Sequence, residues 1–176
     1  RYEESELVCN RALSIETNDP AAWFLKGHLL FFGRNQVEDA ILAYDKSIAI
    51  EHDDVRIWFF KGEALNELKR YDEAFQAFDQ ALAIDPLFTS AWRGKGHTLS
   101  KLKRHDEALQ AFDQALAIDP GDTIAWGSKG HTFYILRRYE EALHAYDQAL
   151  AIDEENDFYW ERKGKLLREL KRHEEA

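Results

Sequence analysis

His28, His97 and His131 each stand five residues after a tryptophan, and three imidazoles in register are the first pattern in this chain able to do chemistry. A metal is what such a set would hold. Zinc needs its nitrogen ligands near 2 Å, in a closed tetrahedron. Side chains carried by separate packed helices stand roughly 10 Å apart, so the spacing speaks against a metal and no cofactor is expected. The other reactive groups are as easily placed. His105 and His173 alternate with Tyr71 and Tyr139 in one column and read as structural. "EHDD" at 51–54 reads as a solvated turn. Cys9 shares a column with Tyr44 and Phe78 and reads as a buried small hydrophobe. There is no nucleophile-base signature, no phosphate-binding GK[ST] loop and no CxxC, so the chain is not expected to be an enzyme.

The elements that carry these residues follow from one period. The five tryptophans, Trp23, Trp58, Trp92, Trp126 and Trp160, are spaced by 35, 34, 34 and 34 residues. Each is followed three residues later by a lysine and four later by a glycine, the last pair being Lys163 and Gly164. "AFDQALAIDP" occurs twice, at 77–86 and 111–120. A fixed period over a whole chain marks a stacked array whose units cannot bury their apolar faces alone. Each unit reads as two helices. The first opens near Asp19-Pro20, Asp54, Thr89, Asp122 or Asp157, residue types that satisfy free N–H groups, and runs to the leucine at 68, 102, 136 or 170. A basic pair follows, then a second helix that starts with acids and stops near Pro86 or Pro120. The first unit is one residue longer, with the insertion in "FFGRNQVEDA". Glycine in the first helix and Ala81, Ala115 or Ala149 in the second would let the pair approach closely.

The 176 residues are 45% hydrophobic and 13% aromatic, which allows a substantial core, and carry a net charge of −10. That charge suits a self-repelling soluble protein and opposes nucleic-acid binding. No run approaches the roughly 18 apolar residues of a membrane span. One cysteine and no recognisable signal peptide point to a reducing, cytoplasmic setting. The absence of methionine and the start at Arg1 suggest a piece of a longer protein.

The recurring order of Trp, Gly, Leu or an aromatic, Ala, Phe/Tyr, Ala and Pro at a period of 34 resembles the tetratricopeptide repeat (TPR). The resemblance covers the whole chain. It implies an all-α, right-handed α-solenoid of stacked antiparallel helix pairs, a superhelix. Residues 1–19 would be the second helix of a partial repeat, 20–54, 55–88, 89–122 and 123–156 full repeats, and 157–176 the first helix of a further one. Thr17, His52 and Glu154 depart from the proline column, and Lys or Arg stands where the family often has a loop glycine.

The resemblance also implies a role as a protein-binding scaffold, with first helices lining a concave groove. Columns that vary between units are then free to serve a partner. The groove candidates are Phe24, His28, Arg56, Phe59, Glu63, Asn66, Arg93, His97, Lys101, His131, Tyr134 and Lys165. Phe31 and Phe32 extend an aromatic zone in the first two units, unless they and Phe24 pack against a neighbouring unit, and Ser90, Arg93, His97 and Lys101 form a small and basic zone in the third. The expected ligand is a peptide with an apolar anchor followed by an acidic residue. Gly94 and Gly127 offer space for a ligand backbone, unless they are drift. The carboxylate clamp that some members use for chaperone C-termini finds no frame here: Phe24 with His28 or Phe59 with Glu63 occupies the opening pair, and His97 and Ser128 replace the asparagines after Arg93. Homo-oligomerisation through the open array ends is the alternative function. An RNA-reading repeat is opposed by the charge and by the lack of a repeating base-reading pair.

Overall fold

In the computed structural model, which describes residues 2–174 (side chains for 7–171), the period becomes ten α-helices and no strand among the described residues. They are α1 Tyr2–Ile15, α2 Pro20–His28, α3 Val37–Ile50, α4 Val55–Glu67, α5 Tyr71–Ile84, α6 Thr89–Lys101, α7 His105–Ile118, α8 Thr123–Ile135, α9 Tyr139–Ile152 and α10 Asp157–Glu174. The chain divides into two compact units, 1–98 and 99–176, with the boundary inside α6.

Helix starts follow a single column, four residues before each tryptophan. Asp19, Asp54 and Asp122 hold extended backbone there and accept from Ala22, Arg56 and Ala125 amides. Phe88 and Asn156 occupy the same column, so Thr89 and Asp157, expected as openers, are instead the first helical residues. Asp122 is buried and its cap bond is 2.9 Å long. Asp122→Ala should therefore cost about 1–2 kcal/mol, measurable as a lower urea midpoint, whereas Asp113→Ala, on an exposed face, should cost less than half of that.

Helix ends are equally regular. α4 and α8 stop one residue before Leu68 and Leu136, and α6 stops at Lys101. Lys69, Lys103 and Arg137 then take left-handed backbone, with φ of 59°, 61° and 59°. The Lys69 amide donates to Asn66 O and the Arg70 amide to Leu65 O, which together close the helix end. α10 differs: it runs through the basic pair to Glu174 and does not break near Leu170.

The extra residue of the first repeat is absorbed inside a helix. Residues Leu29–Gly33 form a π turn directly after α2. The closing bond, five residues long in Arg70 to Leu65, becomes six residues long in Gln36 to Leu30. Asn35 supplies the left-handed residue, φ 55°, in this repeat. Counted back from Asn35, Phe31 takes the place of Leu65 and Phe32 that of Asn66. Phe31 accordingly packs against the core, which corrects its expected place on the groove, and Leu30 packs there as well.

The core of the first unit is built around Tyr44 and Phe78, and that of the second around Tyr146, each shielded from solvent. A methyl placed on Gly27 would meet the Tyr44 ring at 2.6 Å, one on Gly62 the Phe78 ring at 2.8 Å, and one on Gly130 the Tyr146 ring at 2.9 Å. The first-helix glycine is thus a socket for an aromatic ring from the second helix. Gly94 and Gly127 are sockets too. A methyl on Gly94 would also meet the Phe78 ring, at 2.6 Å, and one on Gly127 would overlap the Tyr159 ring. Neither leaves room for a ligand backbone.

Two further contacts repeat with the period. Every tryptophan donates its indole N–H to the carbonyl six residues earlier, at 2.8–3.1 Å: Thr17, His52, Pro86, Pro120 and Glu154. The acceptor is backbone, so loss of proline at Thr17, His52 and Glu154 leaves the bond intact. The lysine before each glycine reaches sixteen residues back to Asp45, Asp79, Asp113 or Asp147 at 2.5–2.6 Å, and lies 5.2–5.3 Å from its own tryptophan ring. In the first repeat Lys26 meets Asn10 instead, at 3.2 Å.

Candidate functional site

In the first unit, α2, the π turn and α4 gather an aromatic cluster. His28 sits 4.5 Å from Phe60, 4.6 Å from Phe32 and 5.5 Å from Phe24, centroid to centroid. Phe60 also meets Phe24 and Phe32, each at 5.9 Å, and Phe59 at 5.0 Å. Phe32 is 57% exposed, so the cluster reaches the surface. His28 Nδ1 is buried without a hydrogen-bond partner, and burial holds the imidazole below its ordinary pKa, so it is neutral at pH 7. Arg56 lies 5.4 Å over the Phe24 ring and grips the Asp54 cap with two nitrogens, which keeps that carboxyl below the usual range.

Phe59 is more deeply committed than its column suggested. Its ring packs on Phe78 at 6.0 Å and Phe88 at 5.3 Å, beside the core. The Thr98 hydroxyl stands 3.0 Å from Asn66 Oδ1 and 2.8 Å from Gly94 O, which share its one proton. Glu63 is half-buried; burial raises its pKa, and the Arg93 guanidinium opposes that rise only in part. His97 is exposed.

The raised Glu63 pKa fixes a sign. Its carboxyl binds a proton more tightly in the folded state than in the unfolded one, so at neutral pH the ionised group costs stability. That cost is relieved as pH falls through the raised value and is gone below the ordinary 4.5. Glu63→Gln should then be more stable than wild type at pH 7, with the gap closing as pH falls, as read from thermal melts across that range. A gap that widens toward acid would reverse the assignment. His28 titrates with the opposite sign: its depressed pKa withdraws stability as pH falls through 6.5.

In the second unit Lys101 and His131 lie near enough to act on one another. Partial burial of His131 first, then the positive charges of Arg162 and Lys101 and the neighbouring His105, push its pKa down. Tyr134 lies 5.9 Å from Tyr139 and is half-buried. Lys165 pairs with Glu161 one turn earlier. His173 lies outside the residues whose side chains are described. Among the described residues no three His, Cys, Asp or Glu side chains converge as a metal site would require, and no helix is long and apolar enough to cross a membrane.

Family models described as tetratricopeptide repeat match residues 29–87, 65–130 and 123–156. The chain belongs to the tetratricopeptide-repeat family. Solved structures of similar fold include Pseudomonas aeruginosa pilF, with TM-score 0.83, 20% identity and coverage of 98% of this chain and 78% of that one. MamA 41-end from Desulfovibrio magneticus RS-1 gives TM-score 0.80 and 23% identity, over 88% of this chain and 87% of that one. The first TPR of Spaghetti (RPAP3) bound to HSP90 peptide SRMEEVD gives TM-score 0.64 and 22% identity, over 66% and 92%. At these identities the likeness shows the fold, an all-α helical repeat. No match was found among curated protein sequences.

The TPR fold is in general a scaffold for protein interaction, and within it the groove candidates separate. Phe24 and His28 join one cluster with Phe32 and Phe60; Glu63 faces Arg93; Lys101 neighbours His131. Phe60, the ring that ties the cluster together, was not among the candidates. Its column, two after the tryptophan, holds Leu25, Phe60, Gly94, Ser128 and Arg162 and varies as freely as those chosen. The same criterion applied to it would have found the residue.

Proposed function

We propose that this TPR array is a non-enzymatic protein-interaction module that takes a partner peptide on the face of its first helices. The observation that carries this reading is the cluster of Phe24, His28, Phe32 and Phe60, which reaches solvent in columns that vary while the framework columns stay constant. A partner's apolar anchor would lie against Phe32 and Phe60, since exposed aromatics dominate binding energy at such surfaces. An acidic residue next to it would meet Arg93 or His97. Lys101, His131, Tyr134 and Lys165 are the contacts proposed in the second unit. The peptide-bound structural neighbour lends weight to a peptide ligand. A chaperone carboxylate clamp is not proposed, because Phe24, His28, Phe59 and Glu63 fill its positions with apolar, neutral or acidic groups. No nucleic acid and no cofactor enter this proposal.

Peptides selected from a random library on the full chain test it. Their amide NMR footprint should fall on α2, α4 and α6, and Phe32→Ser with Arg56→Ala and His97→Ala should abolish binding while circular dichroism stays unchanged. All three side chains are exposed, so the fold is spared. A footprint elsewhere, or retained binding by the variant, would sink the groove reading.

A further inference from the structure

A second site lies between α2 and α3, away from the aromatic cluster. A cavity of about 310 Å³ is lined by Trp23, Lys26, Leu30, Asp39, Leu42 and Lys46. That is at the small end of the roughly 300–1,000 Å³ range of ligand pockets, enough for one side chain and its flanks. Three departures from the repeat meet there. The π turn brings Leu30 to the lining, whereas Leu65, its counterpart counted forward from the tryptophan, is buried. Leu42 is 60% exposed where the other repeats carry Gln76, Gln110 and His144. Lys46 stands where they carry Gln80, Gln114 and Gln148. π turns inserted in α-helices are frequent at functional sites.

The charges name the ligand. The Lys46 ammonium stands 4.2 Å from the centroid of the Trp23 ring, and that of Lys26 stands 5.4 Å away. The carboxylate in the wall, Asp39, accepts from the Gln36 side chain at 3.3 Å. The lining therefore carries two positive groups against one negative group, on a chain whose net charge is −10. Its floor is indole and leucine. We infer that this cavity binds an acidic peptide segment in which one branched aliphatic side chain is flanked by carboxylates. The aliphatic group fills the space between Trp23, Leu30 and Leu42, and the carboxylates meet Lys26 and Lys46, whose charge steers the segment in.

The test is an NMR titration of the full chain with the end-capped pentapeptide EELEE. Saturable shifts of the Trp23 indole N–H and of Leu30 and Leu42 are expected. Leu42→Gln with Lys46→Gln installs what the other repeats already carry, so the fold is kept, and binding should weaken by about tenfold or more. The capped peptides EESEE and KKLKK should give no saturable shift at Trp23. Absence of saturation with EELEE, equal binding by the double variant, or equal binding of KKLKK would each overturn the assignment. The Phe32→Ser, Arg56→Ala, His97→Ala variant should bind EELEE as wild type does, so this site and the aromatic one stand or fall separately.

Discussion

Phe78→Ala should lower stability by about 3–5 kcal/mol, the cost of deleting a fully buried phenyl ring, read from urea denaturation followed by circular dichroism. The ring lies between two backbones. Methyls built on Gly62 and Gly94 would meet it at 2.8 and 2.6 Å, so helices α4 and α6 both close on it and little can collapse into the space it leaves. Gly94→Ala is the sharper test because its two effects oppose. Alanine improves an exposed helix interior by about 1 kcal/mol, whereas overpacking a full core costs about 1–3 kcal/mol. The close contact with Phe78 predicts a net loss. A net gain in Gly94→Ala would show that the socket is slack. In the double variant Phe78→Leu with Gly94→Ala the smaller side chain should recover part of the loss, a non-additivity expected only of residues in contact.

Replacing Lys69, Lys103 and Arg137 together by glycine should raise stability by about 3 kcal/mol, near 1 kcal/mol at each turn. All three hold left-handed backbone, which an L side chain adopts at a cost and glycine does not. Their side chains are exposed, so little packing is lost. The closing bonds run through backbone amides and survive the change. The increase should appear in the urea midpoint and sum over the three single variants. A fall in any single variant would mean that its side chain carries a contact worth more than the backbone strain. The family's common loop glycine, noted as missing from the sequence, is thus a stabiliser this chain does without.

The framework was legible because its physics repeats. Trp, Lys and Gly columns recur at one period with recurring contacts: indole to carbonyl in all five repeats, ammonium to aspartate in all but the first, where Lys26 meets Asn10, and glycine to ring at Gly27, Gly62 and Gly130. Helix openers were legible to within one residue: Asp19, Asp54 and Asp122 cap their helices, while Thr89 and Asp157 are the first helical residues themselves. What depends on a neighbouring repeat was harder to read. Gly94 looks like space until the reach of Phe78 is known, and Gly127 until that of Tyr159 is known; these rings come from other helix pairs. Phe31 read equally as groove or packing because columns were counted from Trp23 across the π turn, which shifts the residues after it by one. Phe60 was passed over although its column varied. The cavity at Trp23 was invisible because one of its walls, Leu30, is placed by the π turn, which no residue pattern announces.

The left-handed residues Asn35, Lys69, Lys103 and Arg137 are spaced by 34 throughout, although the first two tryptophans are 35 apart. The array therefore keeps its phase at the turns, and a length change upstream of a turn is forgotten by the time the next helix begins. Modules of this protein exchanged at the turn, rather than at the tryptophan, would carry their irregularities with them as sealed cassettes. A repeat holding a specialised pocket could then be moved to another position of the array with its neighbours unaware of it.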